Sequence, residues 1–282
     1  MGATVNRDGA LRGRSAVVTG ASRGIGEAIA YRLAMEGANV IVSARTVNEG
    51  DHPLPGTITN TVETIRSAGG EAHPVQCNLA LPQDRENLVD ESHKKYGPID
   101  ILVNNAAVTY FIPTRDFPDK RARLMFEVQM IAAMDLSQRF LPDMIDRGRG
   151  HIIYISSGAA IHPTNPSAGG GGGTVYGMCK AAMERFSTGF AAEVYADNIA
   201  VNAISPGLVA TPGTQLHGLV NESTKSRESP VEAIAEATCF IARSNPKEIT
   251  GRIDHIQPFM EEFSLENVEL IAQIQSFEPS NS

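Results

Sequence analysis

The chain has 282 residues, of which 42% are hydrophobic, enough to bury a sizeable core as one large α/β domain. Its formal net charge is −8 at pH 7 and its 24 lysines and arginines are scattered, which argues against nucleic-acid and membrane partners and favours a small molecule or a protein. Three widely spaced cysteines, seven histidines without metal-ligand spacing, and no membrane-length apolar run or signal-peptide core predict a soluble cytoplasmic protein with no metal.

The first predicted strand, residues 16–19, runs directly into a glycine-rich turn, residues 20–26, and then into a helix. Glycines in such a turn let the backbone approach a pyrophosphate closely, and the free N–H groups at the helix start attract its negative charge. Taken alone, the spacing also fits any tight strand-to-helix turn. The candidate cofactor-binding residues in this turn are Gly20, Ser22, Arg23, Gly24, Ile25 and Gly26.

A second predicted strand, residues 39–43, finishes at Ala44 and Arg45. In dinucleotide-binding folds the end of this strand faces the adenosine ribose, where an acidic residue selects NAD and an arginine accommodates the extra phosphate of NADP. Ala44 occupies the position of the acid, Arg45 follows it, and Arg23 can reach the same phosphate. Two guanidiniums suit a dianion better than a hydroxyl, so we expect NADP(H) in preference to NAD(H). The alternative is two solvated surface arginines.

The alternation of strands and helices continues along the chain. Further strands are predicted over residues 74–77, 99–103, 151–156, 199–204 and 253–256, with helices over residues 82–96, 119–139 and 230–243. This pattern predicts a single-domain, Rossmann-type doubly wound parallel sheet of about seven strands flanked by helices, with ligand at the carboxyl ends of the strands. Asn78 and Leu79 end the third strand, where a side chain could meet an adenine edge.

The remaining segments connect or extend this domain. We expect residues 1–14 to form an N-terminal arm, residues 15–257 the catalytic domain and residues 258–282 a C-terminal extension. The glycine run 169–173 indicates a mobile lid, and the polar stretch before residue 229 indicates a flap. In the extension, the spacing of four apolar residues predicts a short docked helix: Leu265, Val268, Ile271 and Ile274.

A helix predicted from residue 174 carries a phenol and an ammonium four residues apart, Tyr176 and Lys180. Residues at this spacing share one face of a helix, so both can contact the same ligand. A tyrosine loses its proton near about pH 10, and a nearby cation favours the phenolate, which makes the phenol a usable acid or base closer to neutrality. By itself such a pair is common on helix surfaces, so its context decides its meaning.

These pieces occur in an order that resembles the short-chain dehydrogenase/reductase family over residues 15–256. The resemblance rests on the Thr19-Gly20-x-x-x-Gly24-x-Gly26 turn, Asn104-Asn105-Ala106, a serine at a strand end, Tyr176-x-x-x-Lys180, and Pro206-Gly207. The loop over residues 46–57 is similar, more weakly, to the hydroxysteroid-dehydrogenase-like branch of that family.

The resemblance implies roles for individual residues. Tyr176 would be the acid/base, Ser157 would orient the substrate oxygen and the phenol, and Lys180 would bind the nicotinamide ribose and lower the pKa of the phenol. Ser156 is the alternative to Ser157 if the register slips. The further cofactor contacts implied, besides the glycine turn, Tyr176 and Lys180, are Arg45, Asn78, Leu79, Asn105, Ala106, Pro206, Gly207, Val209 and Thr211.

The sequence departs from the family pattern in three places, one of which is the interval of 19 residues from Ser157 to Tyr176, which is longer than usual and contains the glycine run. The active-site asparagine of the family falls at Gln129, which puts the proton relay of the family in question while leaving Gln129 a catalytic candidate. The Gly-Gly common after the last strand is replaced by residues 257–260 (QPFM), so the turn and any subunit contact there are expected to differ.

The expected function is an NADP(H)-dependent oxidoreductase that interconverts a secondary alcohol and a ketone. Val108, Tyr110, Phe111, Ile112 and Ile161, in loops above the site, favour a bulky apolar small molecule. Two alternatives remain: a catalytically weak dinucleotide-binding protein, and a dehydratase or epimerase with the same fold. The resemblance also implies a homodimer or homotetramer.

Overall fold

The computed structural model describes residues 3–165 and 171–274. Seven parallel strands form one sheet in the order β3-β2-β1-β4-β5-β6-β7. The strands are β1 (Ser15–Thr19), β2 (Asn39–Ala44), β3 (Glu71–Gln76), β4 (Ile101–Asn104), β5 (Gly150–Ile155), β6 (Ile199–Ser205) and β7 (Ile253–His255). The predicted doubly wound parallel sheet is confirmed.

Helices connect the strands and cover both faces of the sheet. They are α1 (Gly24–Met35), α2 (Ile58–Ser67), α3 (Pro82–Tyr96), α4 (Asp119–Phe126), α5 (Ala132–Arg147), α6 (Thr174–Val194), α7 (Pro212–Leu216), α8 (Val231–Arg243) and α9 (Ile256–Glu262). Local sequence explains several of their starts. The Thr57 side chain caps α2 by accepting from the backbone N–H of Asn60, and Pro82, which has no N–H to leave unpaired, begins α3.

Successive side chains of each strand enter opposite cores. Val18 and Val42 pack with α1, α2 and α8, whereas Val17 and Ile41 pack with α3, α5 and α6. This alternation follows from the two-residue period of a strand, and burial on both faces explains why the strands are almost continuously apolar.

Three segments differ from the sequence-based predictions. The long helix predicted over residues 119–139 reaches Arg147 and is interrupted by a π-helical turn, Glu127–Ile131. Helix α7 lies in the predicted flap. The helix predicted over residues 265–274 is wrong: this segment has no helix, and its apolar side chains lie directly on the core beside α1 and α8. Ten residues are too few for a stable helix without strong packing of one face, and docking in an irregular conformation buries the same side chains.

The order in which strands are added to the sheet reverses between β1 and β4, which are parallel neighbours. In open α/β sheets the carboxyl ends of the strands form a crevice at this point. Part of the predicted glycine lid, residues 169 and 170, lies outside the described residues. The rest contacts the edge of the crevice, where the Ile112 N–H donates to the Gly172 carbonyl at 3.1 Å.

Candidate active site

A cleft of about 720 Å³ opens at the carboxyl ends of the strands. It is lined by all the residues predicted to hold the cofactor: Gly20, Ser22, Arg23, Gly24, Ile25, Gly26, Arg45, Asn78, Leu79, Asn105, Ala106, Tyr176, Lys180, Pro206, Gly207, Val209 and Thr211. Ser157 lines the cleft as well. Gln129 is 2% exposed and lies behind its wall.

The glycine-rich turn at one end of the cleft has no room for side chains. A Cβ on Gly26 would lie 2.4 Å from the Gly20 carbonyl oxygen and 2.5 Å from Nδ2 of Asn105. Asn105 holds the turn by donating from Nδ2 to the carbonyls of Thr19, at 2.9 Å, and Gly20, at 3.2 Å. Gly20 has a φ of +67°, which favours glycine. A bare backbone at the start of α1 fits a pyrophosphate, so these residues suit a dinucleotide.

Arg23 is attached to the loop over residues 46–57. Its Nε donates to the carbonyl of Pro55 at 2.7 Å, and its Nη2 donates to the carbonyls of Leu54 and Gly56 and to Oγ1 of Thr46. Burial lowers the pKa of Arg23, Glu49 opposes this shift, and Arg45 adds to it. The guanidinium therefore has only Nη1 left for a ligand, which the sequence could not indicate.

The other residues at this end of the cleft come from the ends of β2 and β3. Arg45 is exposed and Ala44 is half-buried, so the guanidinium is accessible, and no acidic side chain among the described residues lines the cleft. Asn78 has its Oδ1 occupied by the Ala80 N–H at 3.2 Å. His52, which sequence analysis missed, also lines this end. The prolines around it predict a loop, but no sequence spacing connects this histidine to the glycine turn.

Tyr176 lines the cleft, and its phenol is hydrogen-bonded to Ser157. Burial raises the pKa of the phenol, and the hydrogen bond from Ser157 opposes this shift. Ser156 also lines the cleft, but its Oγ donates to Glu184 at 2.5 Å. The structure therefore brings Ser157, and not Ser156, to the tyrosine.

Lys180 lies beneath Tyr176, 3% exposed, with Nζ 5.7 Å from the centre of the phenol ring. It donates to the Ile155 carbonyl at 2.7 Å. Burial lowers the pKa of Lys180 to about 8, against the opposing influence of Cys179 and Glu184. Burial also raises the pKa of the Cys179 thiol to about 11, so at neutral pH the thiol is uncharged and Glu184 carries the nearby negative charge.

Gln129 sits in the π-helical turn between α4 and α5. Its Nε2 donates to the carbonyl of Val108 at 3.0 Å, and its Oε1 is buried without a hydrogen-bond partner among the described residues. Gln129 thus fixes Val108, a residue of the cleft wall, and leaves one buried acceptor open. Its contact with the cleft is indirect.

The far end of the cleft is apolar and aromatic. The ring of Phe111 meets Tyr176 edge-on at 5.9 Å and His217 at 5.3 Å between centroids. Of the five loop hydrophobics noted in the sequence, Val108, Tyr110 and Phe111 line the cleft, whereas Ile112 and Ile161 do not. The lining residues that sequence analysis missed at this end are Leu124, Val128, Leu216, His217 and Leu219. Leu124 and Val128 are four apart along the helix, a spacing that could have indicated a shared face.

Within residues 3–165 and 171–274, no three histidine, cysteine or acidic side chains come together as a metal site. No helix among them is long and apolar enough to cross a bilayer.

Comparison with known proteins places this geometry in a family. The chain matches the short chain dehydrogenase family over residues 14–219. Hydroxysteroid dehydrogenase-like protein 2 of Homo sapiens is 33% identical over 265 residues, covering 94% of this chain and 61% of that protein, so the chain spans about three fifths of this relative. The short-chain reductase protein NovJ of Streptomyces niveus is 34% identical over 254 residues, covering 86% of this chain and 91% of that protein.

A solved structure agrees with these relatives. The crystal structure of a metagenomic short-chain oxidoreductase in complex with NADP has a TM-score of 0.71 and 28% identity, covering 87% of this chain and 98% of that chain. The chain therefore belongs to the short-chain dehydrogenase/reductase family.

Proposed function

We propose that the protein is an NADP(H)-dependent oxidoreductase that interconverts a secondary alcohol and a ketone on a bulky apolar small molecule. The observation that carries this proposal is the position of Tyr176. Its phenol is hydrogen-bonded to Ser157, has Lys180 beneath it, and stands between the glycine turn and the aromatic end of one cleft. We also propose, from family membership, that the protein works as a homodimer or homotetramer.

In this proposal Tyr176 transfers the proton. It donates to the substrate oxygen during reduction and accepts from the hydroxyl during oxidation, while Ser157 holds the same oxygen. NADP(H), when bound, supplies or accepts the hydride. Burial raises the pKa of Tyr176, so a functional phenolate requires positive charge close by. Lys180, with a pKa of about 8, is mostly protonated at pH 7 and supplies that charge.

The preference for NADP(H) rests on charge at the end of β2. Arg45 is accessible, Arg23 keeps Nη1 available, and Ala44 introduces no carboxylate that would repel a phosphate. Arg23, Arg45, Asn78 and Leu79 would hold the adenosine end of the cofactor. The backbone of the glycine turn would hold its pyrophosphate, and Asn105 and Ala106 would lie beside the turn.

The other end of the cleft supports the substrate class. A substrate whose alcohol or ketone carbon lies beside Tyr176 would extend into the apolar part of the cleft. This part is lined by Val108, Phe111, Leu124 and Val128. Apolar walls bind apolar ligands by removing their surface from water, at about 25 cal/mol per Å² of buried surface. His217 and Tyr110 give this end two polar edges.

The test follows the absorbance of the reduced nicotinamide while purified protein is offered a panel of secondary alcohols with NADP⁺ and the matching ketones with NADPH. We expect turnover with bulky apolar members of the panel. Tyr176→Phe should lose turnover by about 10²- to 10⁴-fold, the contribution typical of a general acid or base, with cofactor affinity unchanged by calorimetry.

Two other outcomes would contradict the proposal. Conversion of substrate with no net change in the cofactor would favour a dehydratase or epimerase. Tight cofactor binding without reaction on either panel would favour the catalytically weak binding protein.

A further inference from the structure

The loop over residues 46–57 is fixed against the glycine turn by one side chain. Arg23 donates to three consecutive carbonyls of the loop, those of Leu54, Pro55 and Gly56, and to the Thr46 hydroxyl at its start. A guanidinium that makes four hydrogen bonds to one segment holds that segment in a single arrangement. The main role of Arg23 in this structure is therefore to brace the loop.

The contact between the loop and the turn is also close at the backbone. Gly56 has a φ of +97°, and a Cβ there would lie 2.5 Å from the Ser22 carbonyl oxygen. Only glycine allows this approach. The loop is therefore seated on the turn that fits the pyrophosphate, and whatever side chain it presents has a defined position in the cleft.

The side chain presented at the cleft is His52. Its Nδ1 accepts from the backbone N–H of Leu54 at 3.0 Å. Since an acceptor nitrogen carries no proton, the neutral ring has its proton on Nε2. Nε2 has no hydrogen-bond partner in the part of the chain that the structure describes, and His52 lines the cleft beside Arg23 and Arg45. An oriented donor therefore stands next to two cations.

The acidic side chains of this loop, Asp51 and Glu49, accept hydrogen bonds from other groups. Asp51 accepts from the backbone N–H groups of Val47 and Asn48, at 3.2 and 2.8 Å. Glu49 accepts from Nδ2 of Asn60 at 2.9 Å. Both carboxylates are thus engaged and neither lines the cleft, so the charged and imidazole groups that line it at the end of β2 are Arg23, Arg45 and His52. Such a set matches a phosphate better than a hydroxyl.

We propose that His52 donates from Nε2 to the 2′-phosphate of NADP(H), and that His52 and Arg45 recognise this phosphate while Arg23 holds the loop that presents the histidine. This inference rests on the proposed function, since it requires NADP(H) as the cofactor. It assigns part of the cofactor preference to a residue that the family motifs do not include.

The test measures the affinities of NADP⁺ and NAD⁺ by calorimetry for the wild type and two His52 variants. The variants separate the acceptor role of Nδ1 from the donor role of Nε2. In His52→Asn the side-chain oxygen still accepts from Leu54, but the Nε2 donor is lost. His52→Gln keeps an amide donor near the position of Nε2. We expect His52→Asn to weaken NADP⁺ binding about tenfold, the low end for a hydrogen bond to a charged group, and to leave NAD⁺ within about twofold. His52→Gln should keep most of the affinity.

His73→Asn is the matched control. His73 is also half-buried among cations, Lys95 and Arg66, but it lies on β3 outside the cleft, so its substitution should change neither affinity. Equal losses for NADP⁺ and NAD⁺ in His52→Asn would show that the ring contacts the adenine or the fold, and would overturn the inference. So would full retention of the NADP⁺ preference in that variant. Equal affinities in the wild type would instead refute NADP(H) preference itself, and the inference with it.

Discussion

At the scale of single residues, Lys180 shows a conflict between stability and function. Its ammonium is 3% exposed and donates to the Ile155 carbonyl, and burial lowers its pKa from 10.5 to about 8. Between about pH 8 and 10.5 the unfolded chain therefore binds a proton that the folded chain has lost. Since stability rises with pH wherever the unfolded state binds more protons, this lysine destabilises the cofactor-free fold below pH 8 and the effect is relieved above it.

Lys180→Met should stabilise the cofactor-free protein and abolish turnover. The lowered pKa of Lys180 means that its charge lowers the free energy of unfolding by about 3 kcal/mol at neutral pH, which the substitution would recover. Losing the hydrogen bond to Ile155 would cost about 1 to 3 kcal/mol of that gain. We expect a net gain of about 1 kcal/mol in the free energy of unfolding at pH 7, measured by urea denaturation. The gain should shrink above about pH 8 and reverse before about pH 10, because Lys180 loses its charge in the folded protein while the neutral amine can still donate to Ile155. A variant that is less stable at every pH would contradict this account of the buried charge.

Gln129 offers a second test at this scale. Gln129→Asn shortens the side chain by one methylene, so the 3.0 Å bond to the Val108 carbonyl cannot form in the same backbone conformation. We expect a loss of about 1 to 2 kcal/mol in the free energy of unfolding, since a buried acceptor loses its donor. KM should rise because Val108 lines the cleft, with kcat falling less. An unchanged KM would show that Val108 keeps its position without the glutamine.

Residue identities at this site were easier to predict than their partners. The spacing of Tyr176 and Lys180 placed both in the cleft, because a four-residue interval fixes a shared helix face. The choice between Ser156 and Ser157 depended on which way each hydroxyl turns. The four hydrogen bonds of Arg23 depended on a loop more than twenty residues away in the chain, and short-range patterns carry no information about such contacts.

At the scale of elements, the glycine turn can be tested by a single substitution, Gly26→Ala. Gly26→Ala would force a Cβ to within 2.4 Å of the Gly20 carbonyl and 2.5 Å of the Asn105 amide, and neither the backbone nor the braced amide can yield without moving the turn. We expect the variant to lose cofactor binding by at least about 100-fold by calorimetry, because the turn can no longer accept a pyrophosphate at close range.

Gly189→Ala in α6 is the control for this substitution. Its added Cβ would meet only the tip of Arg185, a flexible side chain that can move aside. Since alanine favours a helix over glycine by about 1 kcal/mol, this variant should be slightly more stable and bind cofactor normally. Normal cofactor binding by Gly26→Ala would show that the turn is not the pyrophosphate site.

Strands and helices with strong apolar periodicity were predicted correctly, because the pattern reports which side chains must be buried. The interruption of α4 and α5 was not, because a π-helical turn inserts one residue into the helical spacing without any proline or glycine to signal it. The helix predicted in the C-terminal extension was wrong for the opposite reason. Its apolar spacing fits a helix, but the same residues are buried by an irregular segment that follows the contour of the core.

At the scale of the whole molecule, the C-terminal extension is part of the core. Phe263 packs against Phe240 of α8 and Phe259 of α9, each at 4.8 Å between ring centroids. Beyond it Leu270 is 7% exposed and belongs to the cluster of α1 and α8. The extension therefore packs on the hydrophobic cluster that α1 and α8 share, and none of its described residues, 258–274, lines the cleft.

Removing residues 264–282 should therefore lower stability without changing the site. The deletion exposes apolar surface of α1 and α8 and removes Leu270; fully burying one such side chain is worth about 1.5 to 3 kcal/mol. We expect a loss of about 3 kcal/mol, which for a chain of this size lowers the melting temperature by about 6 to 12 °C. Removing only residues 275–282 keeps every described contact and is the control for the longer deletion. Calorimetric affinity for the cofactor should stay the same in both truncations, because the cleft is complete without the tail; loss of cofactor binding at a temperature where the truncated protein is folded would show that the extension shapes the site.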